Sequence, residues 1–280
     1  MARGTVVVGM SGGVDSSVAA YLLQQKGYRV IGMTMQIWQE EDKFIQEIDG
    51  GYCKLSAVED ARRVAQILQI PYYVMNFKRE FKERVIDYFT ETYFHGRTPN
   101  PCVVCNRYVK WEALLQKSIE INADYIATGH YALIERLSNG RYAVRNSVMA
   151  EKDQTYMLYN LTQEQLSRTL MPVGDYTKFQ IREIAEKAGL PVANKHDSQE
   201  ICFVPDKDYA AFIEKSTGSK IPKGNFVNSD GKILGCHRGI THYTLGQRRG
   251  LGLPMGRRVF VQEIRPETNE VVIGEGDKVF

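Results

Sequence analysis

Long apolar runs are missing from this 280-residue chain. No stretch is long and apolar enough to span a bilayer, so no membrane partner is expected. A signal peptide is missing too: Met1-Ala2-Arg3-Gly4 leads straight into a strand pattern, which makes the cytoplasm the expected compartment. Cysteine is sparse and odd in number at five, which excludes a disulfide framework. In a reducing compartment such cysteines are buried, catalytic or metal-binding. Charge of one sign is almost balanced, with a net +3. The whole excess lies in 206–280, where twelve Lys and Arg face nine Asp and Glu. A neutral first part and a basic last part suggest an acidic polymer as partner. There is no internal repeat and no low-complexity tract. The length and the 43% hydrophobic content allow about two cored domains.

The most informative stretch is Ser11-Gly12-Gly13-Val14-Asp15-Ser16-Ser17. It follows Val6-Val7-Val8-Gly9-Met10, read as a buried parallel strand, and precedes a helix pattern from Val18 that ends at Gly27. Strand, Gly-rich turn and helix start together make an anion site, because glycines admit phosphate oxygens and unpaired N–H groups face them. Gly9 to Ser17 are therefore the candidate nucleotide contacts: Gly9, Met10, Ser11, Gly12, Gly13, Val14, Asp15, Ser16 and Ser17. Asp15 suits Mg²⁺ between phosphates. The stretch lacks the Gly-Lys-Ser/Thr ending of a Walker loop. It resembles the signature loop of the ATP pyrophosphatases.

The first half alternates strand and helix. Strands are expected at 28–35, 71–75 and 124–128, with helices at 56–68 and 78–94. This order predicts an α/β fold, a parallel Rossmann-like (HUP-type) sheet with helices on both faces. Ligands bind beyond the carboxyl ends of such strands, where Gly9-Met10-Ser11, Met35 and Thr128-Gly129-His130 fall. Ser138-Asn139-Gly140 predicts a hairpin in 133–144. Residues 162–190 read as mostly helical and 217–232 as a linker or long loop. Two alternating runs follow in 256–273. The expected domains are 1–205, catalytic, and 206–280, small, basic and β-rich. The last residues, Asp277 to Phe280, carry no clear stop signal, which reads as a fragment or a shortened form.

Cys102 and Cys105 form a CxxC pair in Arg97-Thr98-Pro99-Asn100-Pro101-Cys102-Val103-Val104-Cys105-Asn106, expected on a loop because two prolines hold its approach extended. Cys202 lies in Asp197-Ser198-Gln199-Glu200-Ile201-Cys202-Phe203. One pair does not make a structural zinc site, which needs four ligands. Cys53 and Cys236 read as small apolar residues.

With these stretches the chain resembles the bacterial tRNA-specific 2-thiouridylase family (MnmA/TrmU). Lys152 to Leu158 and the run His242-Tyr243-Thr244-Leu245-Gly246-Gln247-Arg248-Arg249-Gly250-Leu251-Gly252 match as well, all in family order. Family members generally continue into a third, C-terminal β-barrel domain, which is not expected within these 280 residues.

The resemblance implies ATP-dependent 2-thiolation of a wobble uridine in tRNAs of the Lys, Glu and Gln type. ATP adenylates the C2 oxygen, sulfur then displaces AMP, and pyrophosphate is released. It implies a persulfide on Cys202, a nucleophile at Cys105, a disulfide between the two that closes the cycle, and a sulfur donor such as a cysteine desulfurase or relay protein. Both thiols then need a lowered pKa, with Lys152 and Arg107 as candidate cations. Asn100, Pro101 and Cys102 match the segment that contacts the target base; Lys152, Asp153 and Gln154 match one that touches tRNA; Met35 and Gly129 match adenosine contacts. Many members carry Asp where this chain has Cys102. That third thiol predicts a different cofactor, with Cys102, Cys105 and Cys202 holding three irons of a [4Fe–4S] cluster. The target base must be flipped out to reach the sulfur centre. Arg248, Arg249, Arg257 and Arg258 are the expected phosphate donors, and Tyr243 and His242 the expected stacking partners. Two rival readings remain. One is an ATP pyrophosphatase that adenylates a small molecule for nitrogen transfer. The other is an RNA-binding module with a decayed nucleotide site.

Overall fold

The structure, a computed structural model, describes residues 3–37, 55–197, 200–204 and 206–276. Cys53 lies outside them, as do Ser198 and Gln199 of the Cys202 motif. The chain divides into two compact units, 1–84 with 102–205, and 85–101 with 206–280.

The larger unit is built on a parallel sheet. Its strands are β1 (Thr5–Gly9), β2 (Arg29–Gln36), β3 (Tyr72–Asn76), β4 (Tyr125–Ala127) and, after the hairpin strands β5 (Ala132–Arg136) and β6 (Tyr142–Asn146), β7 (Thr169–Leu170). Their order is β3-β2-β1-β4-β7, every pair parallel. Central β1 is apolar at its middle because both its faces are covered, and Val6, Val7 and Val8 are fully buried. Helix α1 (Val14–Gln25) shares this core through Val18, Leu22 and Leu23, together with Ile181 and Ala185 of the helix Lys178–Lys187.

Three expectations for the first 205 residues change. The 78–94 helix is not uniform. It runs Lys78–Phe81, widens to a π-helical turn over Lys82–Ile86 and resumes over Asp87–Phe94. Residues 162–190 are less helical than expected, since Thr169–Leu170 extends the sheet. Two residues give too little periodicity to be read from sequence. The cysteine pair is on a helix, Pro101–Cys105, which continues through the π-helical Asn106–Leu114 into Leu115–Glu120. Pro101 occupies the first helical position, where a missing N–H costs nothing, so proline here starts a helix instead of excluding one.

The smaller unit has a four-stranded sheet of β8 (Gly224–Val227), β9 (Ile233–His237), β10 (Phe260–Arg265) and β11 (Glu270–Gly274), in the order β10-β11-β8-β9. Strand β8 falls inside the stretch expected to be a linker. Its pairing with β11 is parallel and the other pairs are antiparallel. Phe226, Ile240, Tyr243, Val261 and Val271 form the core. Among the described residues no helix is long and apolar enough to cross a membrane.

Candidate active site

Gly13, the N-cap of α1, has no side chain to accept from the first-turn N–H groups, which leaves that turn of the Ser11–Ser17 loop uncapped. The loop is held by its own hydroxyls. Ser16 Oγ accepts from Ser11 N at 3.2 Å and donates to Gly13 O at 3.2 Å, and Ser17 Oγ donates to Gly13 O at 2.8 Å. Gly12 has φ +73° and lies against the Ala57 carbonyl, so no side chain fits there. Met10, Val14, Ser16 and Ser17 are buried, while Ser11, Gly13 and Asp15 are half-buried. Met35, half-buried near the end of β2, is placed at the same edge of the sheet.

Charged groups that sequence reasoning missed surround this loop. Lys195 Nζ donates to Gly12 O at 3.0 Å and to Asp60 Oδ2 at 2.7 Å. Lys178 Nζ reaches both carboxylate oxygens of Asp15, at 2.8 and 2.7 Å, and Asp197 Oδ1 at 2.6 Å. Asp197 also takes Lys152 Nζ at 3.0 Å and Arg182 at 3.5 Å. Burial opposes ionisation of Asp197, but the hydrogen bonds and charges of Lys178 and Lys152 outweigh it and hold the carboxyl below its usual range. Lys178 carried one readable signal. It opens a helix behind the capping box Thr177–Gln180, where the macrodipole disfavours a cation. A buried lysine there needs a carboxylate partner.

Beyond β4, Gly129 packs so tightly on Asp15 and Ser16 that a Cβ would meet Ser16 N at 2.6 Å. The next residue, His130, stacks obliquely on Trp111 at 5.6 Å and bonds Thr128 Oγ1 through Nδ1 at 2.7 Å. Burial, then the charge of Lys110, hold its imidazole well below 6.5, so it is neutral. Lys110 is also the cation that acts on Cys102 and Cys105. Its Nζ donates to Asn106 Oδ1 at 2.8 Å, and Asn106 Nδ2 donates to Met157 O at 3.2 Å.

Cys102, Cys105 and Cys202 are half-buried; Cys102 feels the charge of Cys202, and Cys105 feels that of both. For Cys105 the expectation of a lowered thiol pKa is overturned. Burial pushes Cys102 up and pushes Cys105 up to about 12, with Lys110 opposing only in part. The expected cations are engaged elsewhere: Lys152 on Asp197, and Arg107 on Glu112 at 3.8 Å and over the Tyr108 ring. Among the described residues no group of three His, Cys, Asp or Glu side chains is arranged to hold a metal ion.

The remaining site residues divide. Asn100 is exposed and Pro101 buried at the start of the cysteine helix. Lys152 and Gln154 are half-buried, and Gln154 is locked to Tyr131 by paired bonds of 2.9 Å to its N–H and C=O. Asp153 serves its own turn, accepting from Ser147 N at 2.8 Å, Thr155 N at 3.0 Å and the Thr155 hydroxyl. In the smaller unit Arg248 and Arg249 are exposed, and Arg248 lines an open cavity of about 680 Å³ with Arg257 and Arg258. Tyr243 does not stack on solvent-side partners. It is buried in the core, edge-on to Phe226 at 5.1 Å. Burial, then Arg238, hold the half-buried His242 below its usual value.

A parallel sheet ending in a Gly/Ser loop at a helix N-terminus defines a HUP-type nucleotide-binding protein. A family model described as "tRNA methyl transferase HUP domain" matches residues 4–206, and one described as "tRNA methyl transferase PRC-barrel domain" matches 210–275. The tRNA-specific 2-thiouridylase MnmA of Lachnoclostridium phytofermentans is 70% identical over 275 residues, covering 98% of this chain and 77% of the relative. That of Clostridium perfringens is 59% identical over 280 residues, covering 100% and 77%. This chain belongs to the tRNA-specific 2-thiouridylase family. A solved U34-tRNA thiolase, NcsA from Methanococcus maripaludis, is similar at 17% identity and a TM-score of 0.44, covering 77% of this chain and 67% of its own. A likeness of that size carries no argument about chemistry.

Proposed function

We propose that this chain makes 2-thiouridine at the wobble position of tRNA, using ATP with Mg²⁺ and releasing AMP and pyrophosphate. One observation carries the reading: Thr128-Gly129-His130 adjoins both halves of the chemistry. Gly129 touches the Asp15–Ser16 turn, and His130 shares the field of Lys110 with Cys102 and Cys105. The phosphate loop and the thiol helix thus flank one strand end. The family description speaks of methyl transfer and the relatives' names of thiolation; a triphosphate loop beside three thiols suits the second.

In this reading the loop N–H groups and Lys195 fix the phosphates, and Asp15 holds the Mg²⁺. The C2 oxygen of uridine attacks the α-phosphorus and pyrophosphate leaves. The terminal sulfur of a Cys202 persulfide then attacks C2, and AMP leaves with the C–O electron pair. Cys105 thiolate attacks the Cys202 sulfur, which frees the 2-thio group and leaves a Cys105–Cys202 disulfide for an external dithiol to reduce. The charge of Cys202 raises the Cys105 pKa, which supports this route. Asn100, Pro101 and Lys152 are assigned to the anticodon, Met35 and Gly129 to adenosine, and Arg248 and Arg249 to RNA phosphates. A cysteine desulfurase or relay protein supplies the sulfur, and the cytoplasm is where tRNA and ATP meet.

The three thiols also give a second reading, a [4Fe–4S] cluster with one open iron. Their number favours it, while the lack of a converging metal-holding group among the described residues favours the persulfide. Incubation with ATP, a sulfide source and unmodified tRNA tests the function. We expect 2-thiouridine and pyrophosphate in equal amounts, both dependent on tRNA. Pyrophosphate without tRNA would point to a small-molecule adenylating enzyme instead.

A further inference from the structure

Asp15 is joined to the Lys152–Gln154 segment by two routes, neither legible in sequence. The ionic route runs Asp15–Lys178–Asp197–Lys152, with contacts of 2.7, 2.6 and 3.0 Å. The second runs through Tyr131, whose hydroxyl donates to Asp15 Oδ1 at 2.8 Å and whose backbone is doubly bonded to Gln154. The Lys178 side chain is 11% exposed, so its ammonium depends on these carboxylates instead of water. It engages both oxygens of Asp15, the loop's only carboxylate. Any cation–phosphate group held by the loop must compete with Lys178 for them.

We propose that Lys178 is a positioning residue that links occupation of the phosphate loop to RNA binding at Lys152. When magnesium and phosphates claim Asp15, Lys178 moves fully onto Asp197. Asp197 is then neutralised by Lys178 and Arg182, and Lys152 is released to an RNA phosphate. Nucleotide binding therefore tightens RNA binding, and by linkage RNA tightens nucleotide binding by the same factor. This inference rests on the function proposed above, since it takes ATP and tRNA as the two ligands.

The test is tRNA affinity with and without Mg²⁺ and a non-hydrolysable ATP analogue, with nucleotide affinity measured in parallel. In the wild-type protein we expect tightening of about five-fold or more. In Lys178→Met and in Asp197→Asn, each checked by thermal unfolding, the ratio falls to about one, and Lys178→Arg restores part of it. If Lys178→Met does not fold, Asp197→Asn decides alone. Equal tightening in Asp197→Asn, or none in the wild type, overturns the proposal. A wild-type protein that thiolates tRNA without this coupling sinks the relay alone. One that shows the coupling but forms no 2-thiouridine sinks the functional reading alone.

Discussion

Gly129 presses on Ser16 so closely that one added carbon would stand 2.6 Å from the Ser16 amide nitrogen. The end of β4 and the first turn of α1 are therefore in backbone contact. Replacing Gly129 with Ala must push the turn aside. We expect a loss of about 1–3 kcal/mol in unfolding free energy, typical of overpacking, and a larger proportional loss in ATP affinity. Thermal unfolding and nucleotide titration of the same variant measure both. Unchanged nucleotide affinity would remove Gly129 from the site.

Cys105 gives a pH prediction. Its thiol sits at about 12 against an ordinary 9.0, so the folded protein holds the proton that an unfolded chain would release. Its contribution to stability is complete below pH 9 and is lost as pH climbs from 9 towards 12. Alkylation of Cys105 by iodoacetamide, followed by peptide mass spectrometry, should be slow at neutral pH and rise about tenfold per pH unit across that window. Lys110→Ala should slow it further, because the one cation opposing the shift is gone. Rapid labelling at pH 7 would contradict the dehydrated setting.

The basic edge of the smaller unit predicts a salt effect. Arg248→Ala with Arg249→Ala should weaken tRNA binding more at low than at high salt, reducing the slope of log K against log salt by about 1–2. Filter binding at several ionic strengths reads this directly. An unchanged slope would assign both arginines to a merely solvated face.

Anaerobic purification with iron and sulfide analysis separates the two sulfur routes. On the persulfide route the protein thiolates fully without iron, and Cys102→Ser retains most activity. On the cluster route Cys102→Ser removes iron and activity together.

How much of this was readable beforehand depended on distance along the chain. The Ser11–Ser17 loop was legible because its chemistry is local: glycines, hydroxyls and a helix start lie within seven residues. The sheet was legible because buried strands such as Val6–Val8 are apolar on both faces. Lys178, Lys195 and Asp197 were not, since they are far from Asp15 and Gly12 in sequence and only the fold brings them there. The thiols were found, but their setting was read wrongly. Pro99 and Pro101 suggested a loop where one starts a helix, and the cations expected, Lys152 and Arg107, were not the one in place. Lys110 reaches the cysteines because it follows Cys105 by little more than one helical turn.

The smaller unit is assembled from two stretches of chain with most of the larger one between them. On the ribosome, residues 85–101 emerge long before the strands they will join. The parallel pairing of β8 with β11 cannot form until nearly the last described residue has been made. Synthesis thus imposes an order: the nucleotide-binding body can mature while the chain is still growing, and the early fragment waits unfinished for its sheet.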